Sequence, residues 1–183
     1  MITRIFLLVL LLGSSFISHA SAQSRDHLTQ QEVDLVKEAQ VLDKRIDVFI
    51  KAAERRLLVI TGAPAATNAK QLKKDSERWG ELPTGSRAEL VTDIARILDE
   101  AITNIDDVSA RDERNPLISK SLRKLAQAVN SMMGQLKPLA VEAKSDTEIA
   151  SFEMLNEDAK SILEAATKLP PEVEKKAKSK KEN

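Results

Sequence analysis

The sequence predicts an all-α fold: an antiparallel helical bundle of four long helices plus one short helix, after a cleaved N-terminal signal peptide. Three observations carry this. Apolar residues recur at steps of three and four along most of the chain, the period of one helix face. Helix-start signals stand immediately before these runs. No stretch alternates apolar and polar residues in the manner of a half-buried strand.

The first 22 residues are set aside from the fold. Arg4 supplies a positive charge, Ile5 to Leu12 is unbroken apolar chain, and Ala20-Ser21-Ala22 offers the small residues a signal peptidase reads. Cleavage before Gln23 leaves 161 of the 183 residues. The domain expectation is therefore 1–22 signal peptide, 23–169 helical bundle, and 170–183 disordered Lys-rich tail. The destination is the periplasm or the medium.

The first helix opens at Leu28-Thr29-Gln30-Gln31-Glu32-Val33. Thr29 is the N-cap, Glu32 closes a capping box at N3, and Leu28 and Val33 form the hydrophobic staple. Its seam runs Leu35, Ala39, Leu42, Ile46, Phe49, Ala53, Leu57, Ile60, a coiled-coil-like stripe. Read as one helix ending at Gly62, it spans roughly 45–50 Å. A small-residue loop, Ala63 to Asn68, leads to a short helix from Ala69 to Trp79, anchored by Leu72 and Trp79 and closed by Gly80. Leu82-Pro83-Thr84-Gly85 reads as a turn.

Ser86-Arg87-Ala88-Glu89 is a second capping box, followed by the seam Leu90, Ile94, Ile97, Ala101, Ile105, Val108. Ala110 to Arg114 is a charged break. Asn115-Pro116 places an N-cap before Pro at N1. The seam Leu117, Leu122, Leu125, Val129, Met132, Leu136, Leu139 follows, with Pro138 inside it. Pro138 removes a backbone hydrogen bond to Gly134, so a kink is expected there, or a helix end with a short resumption. Ser145 and Glu148 offer a third box, with Asp146 as a competing cap. Ile149, Phe152, Leu155, Ala159, Ile162, Ala166 and Leu169 form the last seam, stopped by Pro170-Pro171. Residues 172–183 carry five Lys, three Glu and almost nothing apolar.

Composition narrows the chemistry. There is no Cys, so disulfides and thiolate metal sites are impossible. Without the signal peptide, 27 basic residues stand against 28 acidic ones, which gives no electrostatic case for nucleic acid. Aromatic stacking platforms are nearly absent: Phe49, Trp79 and Phe152 are all that follow the signal. No second apolar run is long enough to cross a bilayer, so stable membrane insertion is not expected after cleavage.

His27 is the single His after the signal, and it precedes the first helix. That leaves no Glu-x-x-His di-iron pattern, no zinc ligand set and no catalytic triad. Met132, Met133 and Met154 read as core filling rather than haem ligands. No Gly-rich phosphate loop is present. No cofactor and no metal is expected. The acidic groups Asp106-Asp107 and Asp112-Glu113 read as a solvated helix end with ion pairs. Arg55-Arg56 and Lys73-Lys74 read as solvated faces.

Trp79 is the one residue singled out as a possible partner contact. Its other role, which is favoured, is to pin the short helix onto the bundle. Leu28-Thr29-Gln30-Gln31-Glu32 resembles the Leu-Thr-x-x-Gln element of exported helical chaperones of the Spy type. It matches at Leu28 and Thr29 and departs at Glu32, where that element has Gln. The expected function is a non-enzymatic interaction or scaffold protein of the cell envelope, with a protein partner or self-association. The alternative the resemblance implies is a periplasmic holdase. A carboxylate-based enzyme ranks third, with no named catalytic residue.

Overall fold

A computed structural model describes residues 26–62 and 69–171. The signal peptide, the 63–68 loop, the side chain of Leu72 and the Lys-rich end from 172 lie outside the described residues. Six helices and no strand occur among those described: α1 (Gln30–Glu38), α2 (Leu42–Ile60), α3 (Ala69–Trp79), α4 (Arg87–Arg111), α5 (Pro116–Glu142) and α6 (Asp146–Thr167).

The start signals act as their chemistry requires. Thr29 and Ser86 each close a reciprocal capping box with Glu32 and Glu89. Asn115 accepts from the Leu117 amide at 3.0 Å, ahead of Pro116. Ser145 rather than Asp146 caps α6, accepting from the Glu148 amide at 3.2 Å. Glu148 turns its carboxylate to Arg87 on α4.

The expectation of one long first helix fails. The first helix is not a single rod: it breaks at Ala39-Gln40-Val41, and α1 folds back along α2. Glu32 and Arg55 are 23 residues apart, yet their side chains meet at 3.1 Å. A continuous helix would hold them roughly 35 Å apart. No Gly or Pro marks the break. Its freed carbonyls are taken by side chains: Arg45 Nε donates to the Ala39 carbonyl at 3.0 Å, and Gln40 Nε2 to that of Lys37 at 2.5 Å.

α5 runs through Pro138 without ending there, with Gly134 and Pro138 both exposed. The turn that Pro138 disrupts therefore lies on the exposed side of α5, open to solvent. α4 also extends beyond its expected end to Arg111, leaving a shorter connection before Asn115.

α2, α4, α5 and α6 enclose the main core, including Ile46, Phe49, Ile94, Leu125, Val129 and Leu155. α2 packs on α4 and α5, and α6 packs on the same two, while α4 and α5 touch more sparsely. The direction of each pair can be read from its polar contacts. Arg45 meets Asn104 and Arg56 meets Asp93, so α2 and α4 are antiparallel. Asp43 and Asp47 meet Lys120 and Lys124 in matching order, so α2 and α5 are parallel. Arg87–Glu148 and Thr92–Ser151 make α4 and α6 parallel as well. α5 and α6 are antiparallel, since Arg123 reaches the Pro170 carbonyl while Lys137 lies beside Phe152. Two of the packed pairs, α2 with α5 and α4 with α6, therefore run parallel. Direction still alternates along the chain, but the short 112–115 connection joins the sparsely touching pair α4 and α5.

Candidate functional site

Two places on this scaffold gather chemistry: a buried knot of charge where α1, α2, α4 and the 80–84 segment meet, and an apolar groove between α5 and α6.

The knot begins with the capping box. Glu32 Oε2 accepts from the Thr29 amide at 2.9 Å. Its other oxygen, Oε1, accepts from Arg55 Nε at 3.1 Å and from Arg56 Nη1 at 2.7 Å. Consecutive residues on a helix diverge by about 100°. Arg55 accordingly reaches toward α3, donating to the carbonyls of Gly80 and Glu81. Arg56 reaches toward α4, donating to the His27 carbonyl at 2.6 Å and lying 3.9 Å from Asp93. Arg56 is 1% exposed. Arg55 and Arg56 are therefore not the solvated face that the doublet reading implies: each is buried among fixed acceptors. Burial pushes the Arg55 guanidinium below its ordinary pKa, opposed by Glu32. Two buried cations thus stand against two buried anions, Glu32 and Asp93, the condition under which such charges are tolerated.

A cleft of about 830 Å³ opens over the knot, lined by Asp26, Thr29, Arg56, Ser76, Glu81 and Pro83 among others. His27 stands nearby, its Nε2 at 2.8 Å from Glu100. The guanidiniums at the bottom of the cleft bond to Glu32 and to backbone carbonyls, while Arg56 Nε is buried without a hydrogen-bond partner among the described residues. The arrangement latches α1 and the 80–81 carbonyls to α2.

Trp79, the sequence-selected residue, completes the latch. It is 9% exposed and packs with Leu35 of α1 and Val48 of α2, which pins α3 in place. The Arg55 guanidinium lies 5.9 Å from its ring centroid, within cation–π range. The structure thus joins Trp79 to Arg55, whose doublet reads in the sequence as a solvated face. The long sequence separation of Glu32 from both arginines hid this cluster. The visible signal was Arg56 alone, which stands three residues after Ala53 at the edge of the apolar seam, whereas Arg55 falls nearly opposite it.

The other sequence-selected residues lie apart. Asp106, Asp107, Asp112, Glu113, Lys73 and Lys74 are exposed. Met132 is buried and Met133 half-buried, whereas Met154 is exposed and does not fill the core. Among the described residues no group of three or more His, Asp or Glu is placed to hold a metal ion. One carboxylate is under electrostatic stress: burial, with Asp99 and Glu157 adding like charge, pushes Asp158 above the usual carboxylate range.

The second place is a groove of about 360 Å³ lined by Met133, Leu136, Lys137, Ala140, Val141, Phe152 and Asn156. Val141, on its α5 wall, is 83% exposed, and Ile149, one turn before Phe152 on α6, is 41% exposed. A seam of one residue per turn does not reveal this groove. Its signal is the width of the apolar run Leu139-Ala140-Val141, which exceeds what one buried stripe needs.

Comparison of the chain with family models, with curated proteins and with solved structures finds no match.

Proposed function

We propose that this chain is an exported, non-enzymatic interaction or scaffold protein of the cell envelope, periplasmic or secreted. In this reading α2, α4, α5 and α6 form a four-helix bundle, α1 and α3 are latched to one side of it, and the α5–α6 groove is the working surface. The single observation that carries the reading is that groove: apolar side chains left open to water, with Val141 almost fully exposed. Apolar surface rimmed by polar residues is characteristic of protein contact sites. The charge knot fits the same reading, because Glu32, Arg55 and Arg56 bond to one another and to backbone carbonyls and so hold α1 against α2. Export rests on the signal-like sequence of residues 1–22. No helix among the described residues is long and apolar enough to cross a membrane.

The test is in-cell cross-linking of the tagged protein, with mass spectrometry of what comes with it. A stoichiometric adduct mapping to α5 or α6 is the expected result. Absence of any adduct from envelope preparations overturns the reading. A second reading, a holdase chaperone, draws on the same exposed Val141 and Ile149 together with the exposed Met154. It predicts a broad spread of unrelated adducts and suppression of client aggregation.

A further inference from the structure

We propose that the α5–α6 groove is occupied by the same groove of a second copy, in a two-fold dimer whose axis runs parallel to these helices. The inference rests on the interaction reading above and names its partner.

Isologous pairing requires one surface to carry both the projecting and the receiving parts. This groove does. Val141 projects from the α5 wall, and at the same end the exposed Ile149 stands on α6 one turn before Phe152, which lines the groove from within the core. Because α5 and α6 are antiparallel, a two-fold axis along them lays α5 of one copy against α6 of the other at the same height. Val141 then faces the exposed Ile149 across the interface.

Charge selects this axis. Lys137 lines the α5 wall, and between Lys124 and Lys137 α5 carries no charged residue. On α6, Glu153 is exposed; it follows the groove residue Phe152 and stands one turn before Asn156, so helix periodicity puts it near the height of Lys137, outside the groove lining itself. The parallel axis brings Lys137 of one copy to Glu153 of the other, twice. An axis across the helices instead lays α5 on α5 and sets Lys137 against Lys137, a like-charge contact. Further along α6, Lys160 lies 3.8 Å from Glu164, so the two charges offset each other within one copy.

The test is sedimentation velocity on the full chain, expressed with its own leader and purified as the cell processes it, over a range of concentrations. The expected result is a concentration-dependent dimer. Val141→Glu and Lys137→Glu should each weaken it about tenfold or more, with helical circular dichroism unchanged, and Lys137→Glu/Glu153→Lys should recover most of the loss. A monomer at every concentration overturns the proposal, as does a dimer indifferent to Val141→Glu or one that the charge swap fails to restore. A strict monomer that still gives a single foreign adduct in cells would overturn the self-pairing and leave the interaction reading standing. Loss of both would overturn both.

Discussion

Replacing Glu32 with Ala should destabilise this protein out of proportion to the size of the change. Glu32 is wholly buried, and its Oε1 is shared by two guanidiniums at 3.1 and 2.7 Å. Truncation leaves Arg55 and Arg56 buried with one counter-charge fewer and removes the acceptor of the Thr29 amide. Removing one partner of a buried ion pair costs roughly 3–5 kcal/mol. For a chain of this size each kcal/mol lowers the melting temperature by about 2–4 °C, so a drop of roughly 6–20 °C is expected. Urea and thermal unfolding followed by circular dichroism measure it. The emission of Trp79, the single Trp, reports α3 locally and should shift to the red as Arg55 loses its place. Glu113→Ala, at an exposed position, serves as the control and should stay within about 0.5 kcal/mol of the parent. If Glu32→Ala loses less than about 1 kcal/mol, the knot does not hold α1, and the account of the helix break is wrong.

Other consequences concern the helices and the pH profile. Gly134 lies inside α5 with open space where a Cβ would stand, so Gly134→Ala should stabilise by about 0.5–1 kcal/mol in urea unfolding. Gly80 has φ +69° and Gln31 3.0 Å from a would-be Cβ; Gly80→Ala should cost about 1–2 kcal/mol, and a neutral result would refute the close packing of α1 on the 80–84 segment. Lys120, hydrogen-bonded at 2.5 Å, holds the Asp43 carboxyl below the usual range. The stability this supplies is present above the ordinary carboxylate pKa, near about 4, and fades as pH falls through the lower folded value; Asp43→Asn should flatten that part of the acid profile. Asp158 has the opposite sign: raised by burial and by Asp99 and Glu157, it favours the fold below about pH 4 and opposes it as pH rises through its folded value. Asp158→Asn should therefore raise the melting temperature at neutral pH and lose that advantage in acid.

Local signals in the sequence were read at the level where they act. Thr29, Ser86 and Asn115 cap helices because a side-chain oxygen there satisfies an orphan amide whatever the tertiary fold. Ile46 and Leu125 are buried because the 3.6-residue period aligns them with their seams. The break at residues 39–41 was not legible in the same way. The apolar steps continue through Ala39 and Leu42, and no Gly or Pro interrupts them; what turns the chain is the pairing of Glu32 with arginines on the following helix. Glu32 was recognised for its local role as a capping-box residue, and that role masked its second bond. Arg55 and Arg56 looked solvated because charge is normally exposed, and only a partner distant in sequence reverses that rule. Helix direction was half legible: short connections reverse the chain, but which helices become neighbours depends on packing. The α5–α6 groove escaped notice because Val141 sits beside the seam, where a single stripe reading does not look.

The proposed interface turns most directly on what meets Val141. A photo-reactive amino acid placed at position 141 in living cells, with Lys74 as the exposed control position, reads this in one experiment. The account predicts one discrete adduct from position 141, of the mass of a second copy, and none from position 74. No adduct at position 141, with the protein present and folded, would contradict it.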